Sequence, residues 1–130
     1  MVGIVIVSHS PKVADGIYEM AIQMAKPGQK IIAAGGTAEG IIGTDALKIG
    51  ESIKLADSGS GVLVMVDLGS AVLSTEAALE MLEGELRNRV KIADAPIVEG
   101  SISAAVQASL GSALAEVLSA AEAAREFHKR

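Results

Sequence analysis

Residues 2–11 have the sequence Val-Gly-Ile-Val-Ile-Val-Ser-His-Ser-Pro, and this stretch decides the fold. The run Val2–Val7 is apolar at consecutive positions, which predicts a strand buried on both faces. Ser10 followed by Pro11 predicts a helix start, with Ser10 as the N-cap and Pro11 as the first helical residue. His9 therefore falls at a strand-to-helix turn, where backbone N–H groups favour an anion.

Short apolar runs alternate with longer amphipathic stretches along the rest of the chain. Further strands are predicted at Lys30–Ala34, Val62–Val66 and Val90–Ile92. Helices are predicted at Pro11–Lys26, Thr44–Ala56 with Thr44 as its cap, about Ser70–Glu83, and from Val98 to about Ala121. The pattern predicts an α/β fold, a doubly wound three-layer sandwich whose central, mainly parallel sheet has the strand order 2-1-3-4.

The spacing of large apolar residues predicts which face of each helix packs on the sheet. The residues expected on these faces are Val13, Ile17, Met20 or Ala21, and Met24 in the first helix, Leu47, Ile49, Ile53 and Leu55 in the second, and Ile102, Val106, Leu110, Leu114, Val117 and Ala121 in the last.

Composition limits the possible functions. With 130 residues, half of them hydrophobic, the chain is expected to form one domain over residues 1–130. Its net charge of −5 argues against a nucleic-acid partner. Tyr18 and Phe127 are the only aromatic residues, which argues against a site for a large flat ligand. No apolar run is long enough to span a membrane and no basic leader is present, so we expect a cytoplasmic protein without a membrane partner.

Two chemically useful side chains are predicted to meet at one rim of the sheet. Strand 1 ends at His9 and strand 3 at Asp67, on either side of the point where the winding direction reverses. Asp67 can accept the Nδ1–H of His9 and fix the tautomer in which Nε2 presents its lone pair. Such an imidazole can attack phosphorus, so His9 is the candidate phosphoryl acceptor and donor.

Backbone N–H groups around this rim are predicted to hold the phosphoryl oxygens. They belong to Ser10, to Gly36 and Thr37 after strand 2, and to Gly69 and Ser70 after strand 3. Positioning and electrostatics suffice for such a transfer, so no metal is predicted.

Other interpretations of these residues were weighed. A lone histidine often only forms structural hydrogen bonds, and an aspartate after a strand often only caps a helix. A phosphate loop of the Walker type needs a lysine that residues 35–44 lack, and His9 stands where a dinucleotide-binding site needs glycine. A receiver domain phosphorylated on Asp67 needs an acidic pair where this chain has Ser8-His9-Ser10. His128 lies in a charged tail and is given no role.

Five motifs occur in an order that resembles one known family. They are Gly3–Ser10, Ala34–Gly36, Ile42–Thr44, Val66–Ala71 and Ala95–Gly100. Together they resemble the phosphotransfer subunit of phosphoenolpyruvate (PEP)-dependent dihydroxyacetone kinase, which is similar to enzyme IIA of the mannose family of the bacterial phosphotransferase system (PTS). The resemblance covers the chain to about Ala124.

The resemblance implies a relay function and its partners. His9 is expected to accept a phosphoryl group on Nε2 from phospho-HPr, with Asp67 bound to Nδ1. His9 is then expected to pass the group to ADP on the nucleotide-binding subunit of the kinase, so that this chain binds no cofactor itself. Family members are homodimers, which implies a homodimer here. Two alternatives stay open: an enzyme IIA that feeds a sugar-transporting IIB, and a regulatory module recognised by its phosphorylation state.

Overall fold

In a computed structural model covering Met1–Arg130, four strands form one parallel sheet. The strands are β1 (Gly3–Ser8), β2 (Ile31–Gly35), β3 (Val62–Val66) and β4 (Val90–Ile92), and their order in the sheet is β2-β1-β3-β4. The predicted α/β fold and strand order are therefore confirmed. Ser8 pairs with Gly35 and Val7 with Val66, so β1, β2 and β3 end together at one edge.

Five helices cover the two faces of this sheet. They are α1 (Pro11–Ile22), α2 (Ala46–Ala56), α3 (Gly69–Glu80), α4 (Ile97–Ser109) and α5 (Leu114–Ala123), with short 3₁₀ segments at Gly84–Arg89 and Ala124–Glu126. Helices α1, α4 and α5 pack on one face, and α2 and α3 pack on the other. No helix in the structure has the length and apolar character that crossing a membrane requires.

Strand β1 is buried on both faces, as its continuous apolar sequence predicts. Ile4 and Ile6 belong to the core beneath α1, α4 and α5, whereas Val5 and Val7 belong to the core beneath α2 and α3. All four side chains are fully buried, and each burial stabilises the fold by about 1.5–3 kcal/mol. The strand that carries His9 at its end is thus anchored in the centre of the molecule.

The prediction of one long final helix is wrong. Helix α4 ends at Ser109 and α5 begins at Leu114. Gly111 between them has φ +82°, the left-handed conformation in which glycine commonly ends a helix. The chain reverses there, so that Val117 and Ala121 of α5 enter the core on the same side of the sheet as α4.

The start of α2 also differs from the prediction. Asp45, not Thr44, caps this helix, because its carboxylate accepts the N–H groups of Leu47 and Lys48 at 2.9 and 3.3 Å. The Thr44 hydroxyl instead pairs with the Ser74 hydroxyl of α3 at 2.7 Å. A side chain that was predicted to form a local cap therefore connects the loop before α2 to α3.

Large apolar residues identify the packed faces of these helices only in part. Leu47 and Leu55 of α2 are 70% and 64% exposed, although both were predicted to pack on the sheet. The same expectation is wrong for Val13, Met24, Val106 and Leu110, which are also exposed. It is confirmed for Ala21, the alternative to Met20, and for Ile17, Ile49, Ile53, Val117 and Ala121, which are buried. Alanines take much of the inward space, such as Ala14 and Ala21 of α1 and Ala104 and Ala108 of α4. Small side chains allow these helices to lie close to the sheet.

Candidate functional site

The site lies at the edge where β1 and β3 end side by side. Helix α1 leaves β1 toward one face of the sheet, and α3 leaves β3 toward the other. The two departing chains open a crevice between them, as expected at the point where a doubly wound sheet reverses its winding. His9 follows β1 and Asp67 follows β3, so both residues face this crevice.

His9 and Asp67 form a direct hydrogen bond, as the sequence predicts. Nδ1 of His9 lies 2.9 Å from Oδ1 of Asp67, although 58 positions separate the residues along the chain. The side chains are 25% and 17% exposed, so the pair is sheltered but reachable. An ionised carboxylate only accepts hydrogen bonds, so Nδ1 carries the proton and Nε2 has the free lone pair.

Three further donors fix the Asp67 carboxylate. Oδ2 accepts the backbone N–H of His9 at 3.0 Å and the Ser8 hydroxyl at 2.8 Å, and Oδ1 accepts the Leu68 N–H at 2.7 Å. Burial alone raises the pKa of Asp67, but the hydrogen bonds from His9, Ser8 and Leu68 outweigh it and leave the pKa below its ordinary value. Asp67 is therefore ionised at neutral pH and held in one orientation.

The first turn of α3 faces the other ring nitrogen. The Ser70 hydroxyl contacts Nε2 of His9. Leu68, at the N-cap, supplies no side-chain cap to α3, and first-turn N–H groups have no partner within a helix. The N–H groups of Gly69 and Ser70 are thus open to an anion beside Nε2. Both predicted residues lie at the site.

The other three predicted residues border the site, but their N–H groups are engaged within the chain. Ser10 donates its N–H to the Ser8 hydroxyl at 3.1 Å, and its own hydroxyl caps α1 by accepting the Val13 N–H at 3.2 Å. The Gly36 N–H donates to the Ser8 carbonyl, and the Thr37 N–H donates to the Ile41 carbonyl, both at 3.0 Å.

These bonds correct the predicted phosphoryl cradle. Ser10 is confirmed as the cap of α1, whereas Gly36 and Thr37 shape the rim without offering free donors. At Gly36 the φ angle is +72°, and a Cβ atom would lie 2.5 Å from Pro11 Cγ, so a glycine is needed for the close approach to α1. Open N–H groups remain at the start of α3.

Sequence reasoning missed the contacts that hold the turn around His9. The Gly43 N–H donates to the His9 carbonyl at 2.9 Å, which ties the loop before α2 to the site. Ser8 also had no predicted role, yet it contacts both Asp67 and Ser10. Both residues lie in motifs that carry the family resemblance, Gly3–Ser10 and Ile42–Thr44, but the motifs do not show which groups these residues contact.

A cleft of about 440 Å³ adjoins Asp67 on the side of β4. It lies between residues 66–69 and residues 92–95, and most of its lining is apolar. Its only charged residues are Asp67 and Asp94, which repel a phosphate. An anion beside His9 is therefore better accommodated on the side of Ser70.

Comparison with known proteins identifies the family of this chain. A family model described as the PTS system fructose IIA component, EIIA-man, matches residues 3–118. The chain belongs to the EIIA-man family. The matched range includes all four strands of the sheet and both His9 and Asp67.

Two curated relatives of this EIIA-man chain are named as phosphoryl donor subunits. The subunit DhaM of PEP-dependent dihydroxyacetone kinase 2 from Listeria innocua serovar 6a is 45% identical over 107 residues, which cover 82% of this chain and 86% of the relative. The DhaM subunit of PEP-dependent dihydroxyacetone kinase from Escherichia coli strain K12 is 43% identical over 121 residues, 91% of this chain. The match covers only 26% of the Escherichia coli protein.

A solved structure has the same fold as this EIIA-man chain. The crystal structure of the unknown-function protein EF1359 superposes with a TM-score of 0.84 at 41% sequence identity. The superposition covers 93% of this chain and 92% of that protein. The resemblance to dihydroxyacetone kinase phosphotransfer subunits and to enzyme IIA, inferred from motifs, is confirmed by the family match and the relatives.

Proposed function

We propose that this chain is the phosphoryl donor subunit of a PEP-dependent dihydroxyacetone kinase and acts as a phosphohistidine relay. His9 accepts a phosphoryl group on Nε2 from phospho-HPr and passes it to ADP on the nucleotide-binding subunit. The ATP formed there phosphorylates dihydroxyacetone. The observation that carries this proposal is the hydrogen bond between Nδ1 of His9 and Asp67, which leaves Nε2 as the nucleophile. The names of the relatives support the choice of kinase.

The first transfer uses the groups at both ring nitrogens. The Nε2 lone pair attacks phosphorus, and the bond between phosphorus and the HPr imidazole breaks as the new Nε2–P bond forms. The His9 ring becomes positively charged while its proton stays on Nδ1, and the ionised Asp67 stabilises that charge. The Ser70 hydroxyl turns from Nε2 to a phosphoryl oxygen, and the N–H groups of Gly69 and Ser70 bind the same anion.

The second transfer returns His9 to its starting state. A β-phosphate oxygen of ADP attacks phosphorus, the Nε2–P bond breaks, and its electron pair returns to the ring. The nucleotide stays on the partner, since this chain has only two aromatic residues and no cationic side chain in the cleft beside Asp67. With one quarter of its side chain exposed, His9 is accessible to both protein partners.

The assembly follows from the same proposal. HPr and the kinase subunit are cytoplasmic partners, so this chain acts in the cytoplasm. It forms a homodimer, which sedimentation measurements test directly. A monomer that transfers phosphoryl groups at the normal rate contradicts the dimer without affecting the relay.

A labelling experiment tests the first transfer. The chain is incubated with PEP, enzyme I and HPr, and acid-labile phosphate on it is measured. We expect His9→Ala to abolish labelling and His128→Ala to leave it unchanged, because His128 is the only other histidine. Full labelling of His9→Ala contradicts the proposal.

A second experiment tests the acceptor. The phosphorylated chain is mixed either with the ADP-loaded nucleotide-binding subunit or with a mannose-type IIB protein. We expect ATP to form with the kinase subunit and IIB to remain unphosphorylated. Transfer to IIB alone identifies a sugar-transport enzyme IIA, and binding to a partner in one phosphorylation state without transfer identifies a regulatory module.

A further inference from the structure

Ser8 is a buried hydroxyl at the end of an otherwise apolar strand. It is the last residue of β1 and only 1% exposed. Its hydroxyl donates to Oδ2 of Asp67 at 2.8 Å and accepts the Ser10 N–H at 3.1 Å. The buried Ser8 hydroxyl therefore acts as both a hydrogen-bond donor and a hydrogen-bond acceptor at the candidate site.

The four hydrogen bonds to Asp67 are divided equally between its two carboxylate oxygens, and Ser8 supplies one of the two to Oδ2. Oδ1 accepts Nδ1–H of His9 and the Leu68 N–H, whereas Oδ2 accepts the Ser8 hydroxyl and the His9 N–H. Without the Ser8 hydroxyl, Oδ2 retains only one donor, the backbone N–H of His9. The carboxylate then loses one of the four hydrogen bonds that fix its rotation relative to the imidazole.

We propose that Ser8 is a positioning residue that, through its hydroxyl bond to Asp67, holds the carboxylate where it accepts the Nδ1 proton of His9. The Ser8 hydroxyl bonds to Asp67 and to the Ser10 N–H and makes no hydrogen bond to Nε2 of His9, so it influences the imidazole through Asp67. Its bond from the Ser10 N–H extends the same network to the start of α1, which follows His9 directly. The effect on phosphoryl transfer rests on the proposed function, whereas the effect on the imidazole tautomer does not.

The test compares Ser8→Ala with a matched buried serine. Ser101 is fully buried and its hydroxyl has no hydrogen-bond partner, so Ser101→Ala removes a similar group away from Asp67. Nitrogen-15 NMR shifts of His9 report which ring nitrogen carries the proton. We expect Ser8→Ala to lose the preference for Nδ1–H and to slow phosphorylation by phospho-HPr on the order of tenfold. Ser101→Ala keeps both properties.

A conservative variant distinguishes the effect of losing the Ser8 hydroxyl from the effect of altered packing around it. Ser8→Thr keeps the hydroxyl and is expected to restore the Nδ1–H tautomer. A Ser8→Ala protein with the original tautomer and rate overturns the proposal, as does a Ser8→Thr protein that behaves like Ser8→Ala.

The unsubstituted protein supplies a measurement that does not depend on any variant folding. A Ser8 hydroxyl buried in a bond to Asp67 exchanges slowly with water and gives its own proton resonance with a contact to Asp67. Fast exchange of that hydroxyl contradicts the proposal. If the unsubstituted chain shows the Nδ1–H tautomer but is never phosphorylated, the relay fails while the role of Ser8 at Asp67 stands.

Discussion

The Ser70 hydroxyl contacts Nε2 of His9, on the ring nitrogen opposite to the one that Asp67 holds. The imidazole is thus bonded at both nitrogens, by an ionised carboxylate on one side and by a neutral hydroxyl on the other. A neutral hydroxyl is easily displaced when phosphorus arrives, and it can then donate to the anionic phosphoryl group. The two residues therefore have different roles: Asp67 orients the ring, and Ser70 binds the phosphoryl group during transfer.

Ser70→Ala is expected to slow transfer from phospho-HPr to His9 by about 10- to 100-fold, because a hydrogen bond to a charged oxygen contributes about 1.5–3 kcal/mol. Stopped-flow transfer measurements give the rate. Ser74→Ala is the matched control, since Ser74 lies one turn further along α3 and its hydroxyl pairs with Thr44 instead of His9. Equal rates in the two variants would show that the Ser70 hydroxyl does not bind the phosphoryl group.

Substitutions at Asp67 are expected to slow transfer without unfolding the chain. Asp67→Ala removes the acceptor of the Nδ1 proton. Asp67→Asn can instead donate an amide N–H to Nδ1, which favours the tautomer whose Nε2 is protonated and unable to attack phosphorus. We therefore expect Asp67→Asn to be at least as slow as Asp67→Ala, with losses on the order of 10²–10⁴-fold. Circular dichroism checks the fold, and an Asn variant with the normal rate contradicts the role of Asp67.

The central strand and the two site residues could be predicted from sequence, because each follows from a short sequence pattern that is compatible with only one position in a parallel sheet. An apolar run such as Val2–Val7 is buried in any arrangement, and strand ends in a parallel sheet meet at one edge. His9 and Asp67 follow such runs directly, so the strand order alone brings them together.

The packed helix faces and the hydroxyl contacts could not be predicted in the same way. Helix α2 exposes Leu47 and Leu55 and buries Ile49 and Ile53. Which of these residues face the core depends on the rotation of the helix about its axis, and their spacing in the sequence does not give that rotation. The Thr44–Ser74 and Ser8–Asp67 bonds depend on distances across the fold that no spacing encodes. The break at Gly111 was visible as a glycine, but the apolar periodicity continues across it.

Acid is expected to destabilise the fold through two aspartates. Asp57 forms a double hydrogen bond with Arg89, at 3.2 and 2.7 Å. This bond with Arg89 is the main cause that lowers the pKa of Asp57, against a smaller opposing effect of burial. The pKa of Asp67 is also lowered, where hydrogen bonds outweigh burial. Both groups have a lower pKa in the folded chain than in the unfolded chain.

The sign of the pH dependence follows from this difference. The stability contributed by the two carboxylates is fully present above their unfolded pKa, near 3.8, and is lost as pH falls through their folded pKa values. Urea unfolding should therefore give a constant midpoint from neutral pH to about pH 5 and a falling midpoint below it. Asp57→Asn should make that fall shallower. An unchanged slope in this variant contradicts the contribution of the Asp57–Arg89 pair.

Gly35→Ala is expected to damage the site by steric pressure on α1. A Cβ atom at Gly35 would lie 2.7 Å from both Pro11 Cα and the Ser10 carbonyl oxygen, and backbone atoms cannot yield as a flexible side chain can. We expect a loss of about 1–3 kcal/mol in the free energy of unfolding. Phosphoryl transfer should also slow, because Ser10 and Pro11 directly follow His9 and move with the start of α1.

The matched control for Gly35→Ala is Gly16→Ala, in the middle of α1. No atom lies within 4 Å of a Cβ built at Gly16, so alanine meets no obstacle there and should stabilise the helix by about 0.5–1 kcal/mol. Urea unfolding and the transfer rate are measured for both variants. A Gly35→Ala protein as stable and as fast as Gly16→Ala would mean that α1 can shift away from β2 without moving His9. The close approach at Gly35 would then have no part in holding the site.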